Sequence, residues 1–231
     1  MTKFRDRQDA GRKLAAKLAG YASQDPIILA LPRGGVPVGY EVARALRAPL
    51  DVWVVRKVGV PWHPELGVGA VCEGGYLYLS REILDQVGLS EEKLSGVITR
   101  ERAEVEQRVK KFRGHRPPPP LRGRTVIVVD DGIATGGTVR VALRALRAEQ
   151  PGKLVLAVPV AAADTVDRLM PEVDQIVSLL APRDLYAIGL WYEDFQQVSD
   201  DEVVRLLERA RAQQAAGAAP AHEKGTEDAT R

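Results

Sequence analysis

Two adjacent carboxylates and a run of glycines and hydroxyls share one short stretch: Val128-Val129-Asp130-Asp131-Gly132-Ile133-Ala134-Thr135-Gly136-Gly137-Thr138. Carboxylates accept hydrogen bonds from hydroxyl groups and can hold a hard cation such as Mg2+. Glycines let the backbone close around an anion, and free N–H groups at a helix start attract phosphate. The hydroxyls of Thr135 and Thr138 add donors. Acids beside a phosphate cradle suit a phosphorylated sugar, because the acids take the sugar hydroxyls and the cradle takes the phosphate. A plain strand–turn–helix could use acidic caps and turn glycines, but two carboxylates followed by T-G-G-T is a more specific pattern. The stretch is neither a Walker loop nor a dinucleotide fingerprint, since G-x-x-x-x-G-K-[ST] and G-x-G-x-x-G are both absent.

Two further groups could act on the same ligand. Pro32-Arg33-Gly34-Gly35 combines a guanidinium, which grips phosphate oxygens in a fork, with glycines that permit unusual backbone geometry. Arg56-Lys57 place two more cations after an apolar segment.

The elements that must position these groups are legible as apolar patterns. Residues 126–129 read as a strand buried on both faces, with a helix from Thr138 onward. The acids therefore sit at the carboxyl edge of a sheet, where open α/β folds bind ligands. Residues 26–31 form a second such strand, PRGG a loop, and 36–48 a helix. Further strands are predicted over 50–55, 153–162 and 175–180, with a helix at 165–169 and an amphipathic helix over 4–20. Arg56-Lys57 would end the 50–55 strand. Residues 58–80, rich in Gly and Pro, fit a hairpin arm or mobile flap, with His63, Glu65 and Glu73 as its titratable groups. Ser80 and Ser90 are helix N-cap candidates, and four consecutive prolines make 113–124 a linker. The alternation predicts an α/β fold with a mostly parallel sheet flanked by helices.

The motif VVDDGIATGGT closely resembles the signature of the type I phosphoribosyltransferases, which bind phosphoribosyl pyrophosphate. A looser resemblance runs over roughly residues 20–200. It implies a parallel-sheet core, a flexible arm at about 58–80 and a hood at about 185–199. It implies that Asp130 and Asp131 hold the ribose hydroxyls, with Mg2+ beside them, and that Gly132, Ala134, Thr135, Gly136, Gly137 and Thr138 surround the 5′-phosphate. PRGG is similar to the family's pyrophosphate loop, which assigns Arg33, Gly34 and Gly35 to that group together with Arg56 and Lys57. In the hood, Trp191 and Tyr192 are candidates to stack on a heterocycle and Asp194 to read its N–H groups. The family's 6-oxopurine enzymes carry an aspartate where this chain has Ala134. Guanine or hypoxanthine specificity is therefore not implied, and any proton transfer must come from elsewhere.

The implied reaction is transfer of a 5-phosphoribosyl group to a nitrogenous base, releasing pyrophosphate. Asp130 and Asp131 would fix the ribose, and Arg33 and Lys57 would stabilise the leaving group. Two alternatives stand beside it: a non-catalytic sensor of phosphoribosyl pyrophosphate or a nucleotide, and a phosphosugar hydrolase on the same fold. A homodimer is expected from the resemblance alone.

Composition bounds these readings. The 231 residues are 45% hydrophobic and 28% charged, which excludes wholesale disorder. Basic and acidic residues number 33 and 31, net +2, and give no footprint of a nucleic-acid binder. No run of ~18 apolar residues could span a membrane. The charged N-terminal stretch lacks the apolar segment of a secretory signal, and the lone Cys72 excludes an internal disulfide, so a cytoplasmic location is expected. One domain is expected over residues 1–211, with a disordered tail over 212–231.

Overall fold

The computed structural model describes residues 3–218. Five parallel strands form the central sheet: β1 (Ile27–Ala30), β2 (Leu50–Val52), β6 (Thr125–Val129), β7 (Lys153–Val160) and β8 (Gln175–Leu180). Their order is β2-β1-β6-β7-β8. A second, antiparallel sheet joins β3 (Val55–Val60), β4 (His63–Cys72) and β5 (Leu77–Leu79). The α/β class with helices on both faces of a parallel sheet is as the sequence predicts.

Alternation along the strands sorts the core into two layers. Ile28, Ala30, Ile127, Val129, Val155 and Ala157 face α1 (Arg7–Leu18), α2 (Gly35–Leu46) and α7 (Asp200–Ala218). Ile27, Leu29, Val126, Val128, Leu154 and Leu156 face α5 (Gly137–Ala148) and α6 (Ala163–Leu169). Every residue of β1 is buried, which explains its uninterrupted apolar sequence.

The caps fall where expected. Ser80 accepts from the Ile83 N–H and opens α3 (Arg81–Val87), and Ser90 precedes α4 (Glu91–Arg113). The proline linker after α4 has no regular structure before β6.

Four features differ from the sequence expectation. The 50–55 segment is not one strand. It pairs with β1 only as far as Val52, crosses at Trp53-Val54, and enters the second sheet at Val55. The arm is a packed sheet and not an isolated flap. Val58, Val60, Val68 and Val71 join the layer that includes Leu94 and Ile98 of α4, while Ala70 and Cys72 join Leu143 of α5. Only its β3–β4 tip projects, with Trp62 68% exposed. The first helix starts at Arg7, because Phe4 instead bridges to Tyr192 in the hood. Finally, α7 continues through Ala218, into the segment expected to lack structure from Ala212; the rest of that segment, 219–231, lies outside the described residues.

Candidate functional site

β1 and β6 are neighbours, with Ala30 opposite Val129. The loops that follow them therefore emerge side by side at one edge of the sheet. One carries Arg33-Gly34-Gly35 into α2, and the other carries Asp130-Asp131. The Leu31 N–H donates to the Val129 carbonyl at 2.8 Å, holding the loops together. The Pro32–Arg33 peptide bond is cis. The glycines have a steric reason to be there. A Cβ on Gly34 would lie 2.0 Å from the Asp131 Oδ2, and one on Gly35 would lie 2.6 Å from the Val129 carbonyl oxygen. No side chain fits between the loops, so the PRGG and acid motifs are two halves of one packing arrangement.

Asp131 is 8% exposed and its Oδ2 accepts from Arg7 Nε at 2.7 Å. Arg7 opens α1, and its Nη1 also donates to the Gln196 carbonyl at 2.7 Å. Its guanidinium lies 3.8 Å from the centre of the Phe195 ring. The Tyr192 hydroxyl donates to the Asp131 carbonyl at 2.5 Å. Asp130 Oδ1 accepts from the Asp131 N–H at 2.9 Å. Burial pushes the Asp130 carboxyl well above the usual carboxylate range, and the charge of Asp131 pushes it further. Burial also raises Asp131, against the pull of Arg7. The pair is thus short of positive charge.

After the acids, the loop is pinned on one side. The Ile133 N–H donates to the Val160 carbonyl at 2.9 Å, and the Thr165 hydroxyl donates to the Ala134 carbonyl at 2.6 Å. Gly136 then adopts φ +73° with Thr165 packed close against it, and α5 begins at Gly137. No side chain caps this helix, so the N–H groups of its first turn point outward without an intrahelical acceptor. Thr135 and Thr138 are exposed there. Across a cleft of about 300 Å³ lie Lys57 and Tyr78 of the second sheet and Ser80 at the start of α3, with Arg140 on the α5 side. A basic cleft against a helix start can hold phosphate.

The structure separates some of the sequence candidates. Arg56 and Lys57 alternate to opposite faces of β3. Lys57 lines the cleft, whereas Arg56 pairs with Glu101 of α4 at 2.9 Å. Arg33 is partly exposed beside Asp200 of α7, at 3.8 Å. Trp191 and Tyr192 are not exposed platforms: they are buried with Phe4 and Ala10, and Tyr192 tilts against Phe4 and Phe195. Burial pushes the Tyr192 phenol up, keeping it a donor. Tyr192 therefore supports the acid loop through its hydroxyl, and both rings are buried in the hood rather than exposed to a heterocycle. Asp194 lines a separate groove of about 280 Å³ with Arg7, Gln8 and Gln196. Glu73 is withdrawn into an ion cluster with Arg113. His63 lies on β4, and the side chain of Glu65 is outside the described residues. Burial and the charge of Glu73 push the Cys72 thiol up to about 12, which fits an inert packing role. Among the described residues, no three His, Cys, Asp or Glu side chains gather as a metal site, and no helix is long and apolar enough to cross a membrane.

Arg7 and Arg140 were not among the sequence candidates. Arg140 could have been found, since it lies two residues beyond Thr138. Arg7 could not, because nothing local distinguishes it from the other cations of an amphipathic helix.

Parallel strands, crossover helices and a sheet edge where two glycine-bearing loops meet define an open, parallel α/β protein, a class that binds ligands at that edge. Residues 3–177 match the model of the phosphoribosyl transferase domain, and the chain belongs to that family. It is 45% identical over 210 residues to a Mycobacterium tuberculosis protein, Rv0571c, provisionally named a phosphoribosyl transferase. That match covers 91% of this chain and 47% of the relative, so the chain spans about half the relative's length. The crystal structure of TT1426 from Thermus thermophilus superimposes with a TM-score of 0.78 at 42% identity, covering 90% of this chain and 99% of that one.

Proposed function

We propose that the protein transfers the 5-phosphoribosyl group of phosphoribosyl pyrophosphate to a nitrogenous base and releases pyrophosphate. The observation that carries this reading is the meeting of the acid pair, the Arg33 loop and the Thr135–Thr138 helix start at one sheet edge, with Lys57 across the cleft. The 5′-phosphate would take the N–H groups and hydroxyls of residues 135–138. Asp130 and Asp131 would accept the ribose hydroxyls. As the bond to pyrophosphate lengthens, positive charge grows on the sugar ring and negative charge on the leaving group. The carboxylates oppose the first, and Arg33 and Lys57 the second. Fixing both partners in place lowers the entropic part of the barrier.

Mg2+ fits this donor set. It is commonly held by one or two carboxylates plus substrate oxygens and water, which asks for no closed protein cage. Asp130 and Asp131 are the residues that would hold it. When bound, it would supply charge to pyrophosphate. The acceptor base is left open by Ala134, and a homodimer is expected from family membership.

A second reading, a non-catalytic sensor of the same ligand, is favoured by Ala134 and by the hold of Arg7 on Asp131. One assay separates these. Protein, phosphoribosyl pyrophosphate and Mg2+ are mixed with purines, pyrimidines and small nitrogen heterocycles, and pyrophosphate is measured. Base-dependent release that Asp131→Asn lowers about 100-fold is expected. Binding without release supports the sensor, and release without any base indicates a hydrolase.

A further inference from the structure

Arg7 belongs to α1, outside the sheet edge that forms the site, yet its side chain is nearly buried there. It makes three directional contacts: Nε to Asp131 Oδ2, Nη1 to the Gln196 carbonyl, and its plane over the Phe195 ring. The segment before it is tied to the hood by backbone bonds. Phe4 donates to the Trp191 carbonyl, and Glu193 and Asp194 donate to the carbonyls of Phe4 and Arg5. The guanidinium is therefore fixed from three sides before any ligand arrives. It is attached to only one oxygen of the acid. Oδ2 also faces Gly34, where even a methyl group would not fit. The other oxygen, Oδ1, takes no bond from Arg7 and is the one left to accept from a ligand.

We propose that Arg7 is a positioning residue for the phosphoribosyl site, holding Asp131 by one oxygen so that the other is presented to a sugar hydroxyl. The inference rests on the phosphoribosyl reading above and names a residue outside its motifs. A charge-assisted bond to a rigid donor is shorter and stronger than a neutral one, so it can select one orientation of the carboxylate. Without it, burial beside Asp130 would leave Asp131 free to turn or to share a proton. The share of hydroxyl-dependent binding made by Asp131 would be lost, and the phosphate-dependent part, made by residues 135–138, would remain.

The test compares affinities for ribose 5-phosphate, its 2,3-dideoxy analogue and inorganic phosphate by calorimetry. Wild-type protein is expected to prefer ribose 5-phosphate over the dideoxy analogue by roughly tenfold or more, the worth of a hydrogen bond to a charged group. Arg7→Met is expected to lower that ratio several-fold, leaving what Asp130 supplies, while the affinity for inorganic phosphate stays within about twofold. A wild-type ratio in Arg7→Met overturns the inference. So does a parallel loss of phosphate and sugar binding at an unchanged ratio, which would mark a merely structural role. If Arg7→Met does not fold, Arg7→Lys decides. Its ammonium reaches Asp131 or the Gln196 carbonyl but cannot bridge both, so the ratio should fall several-fold, and an unchanged ratio overturns the inference. Absence of any preference in the wild-type protein overturns the phosphoribosyl reading itself, and this inference with it.

Discussion

Two buried clusters in this protein contain the same charges, two carboxylates and one arginine, and wire them differently. At the base of the arm, Arg113 lies between Asp51 and Glu73 and is 2% exposed. It donates to Asp51 at 3.0 Å, to both oxygens of Glu73 and to the Val52 carbonyl. At the sheet edge, Arg7 bonds Asp131 directly, whereas Asp130 accepts from the Asp131 backbone and feels Arg7 only through its charge. In the first cluster the arginine bonds both acids directly and ties the end of α4 to β2 and to the end of β4, although burial still raises the Glu73 carboxyl. The second leaves one carboxylate pushed well above its usual range by burial and by its neighbour. A buried charge without a full complement of partners is costly, and such sites persist where a ligand completes them. Charge count alone does not distinguish a structural cluster from a functional one; the distribution of donors does.

Removing the arginine from the first cluster should have the largest effect. Arg113→Met strands the buried Glu73 and the part-buried Asp51, and is expected to cost about 3–5 kcal/mol in urea unfolding. A loss below ~1 kcal/mol would break the comparison. Gly34→Ala should be smaller and should strike the other cluster. The methyl group displaces the Asp131 carboxylate, so a loss of about 1–3 kcal/mol is expected, together with loss of phosphoribosyl pyrophosphate binding by calorimetry. Unchanged binding would separate the two loops functionally. The smallest effect is the sharpest in sign. In the folded state Asp130 titrates above its unfolded value of about 4. The folded protein then holds a proton that the unfolded chain has released. Its contribution to stability therefore falls as pH rises above about 4. Asp130→Asn removes this dependence, so its melting temperature should gain on the wild type between pH 4 and pH 8. An identical pH profile for both proteins would show that Asp130 is not starved of charge.

The pattern of the two clusters also marks what was legible in the sequence. Strands β1, β6, β7 and β8 are short apolar runs, and both ligand loops follow such runs directly, so local composition located the sheet edge. Ser80 marked its helix because capping is local chemistry; Ser90 precedes α4 without a side-chain cap bond. The failures are long-range. Nothing near Arg7 announces that its partner is Asp131, and nothing near Glu73 announces Arg113. The chain's crossing from one sheet to the other within LDVWVV leaves no break in an apolar run. Exposure of hood aromatics cannot be read from their type, and Trp191 and Tyr192 proved to be buried supports. The sequence AQQAAGA has good helix formers but no apolar stripe, so its place at the end of α7 followed propensity and not amphipathicity.

The missing room at Gly34 has a consequence for how this protein can change over generations. Two peptide segments far apart in the chain share one volume, smaller than a methyl group. A mutation that enlarges residue 34 displaces the carboxylate at 131 unless that residue is shortened or relocated, and the reverse exchange opens a gap. The two positions should therefore be inherited as a single character, and descendants that abandon one motif should be found to have abandoned both.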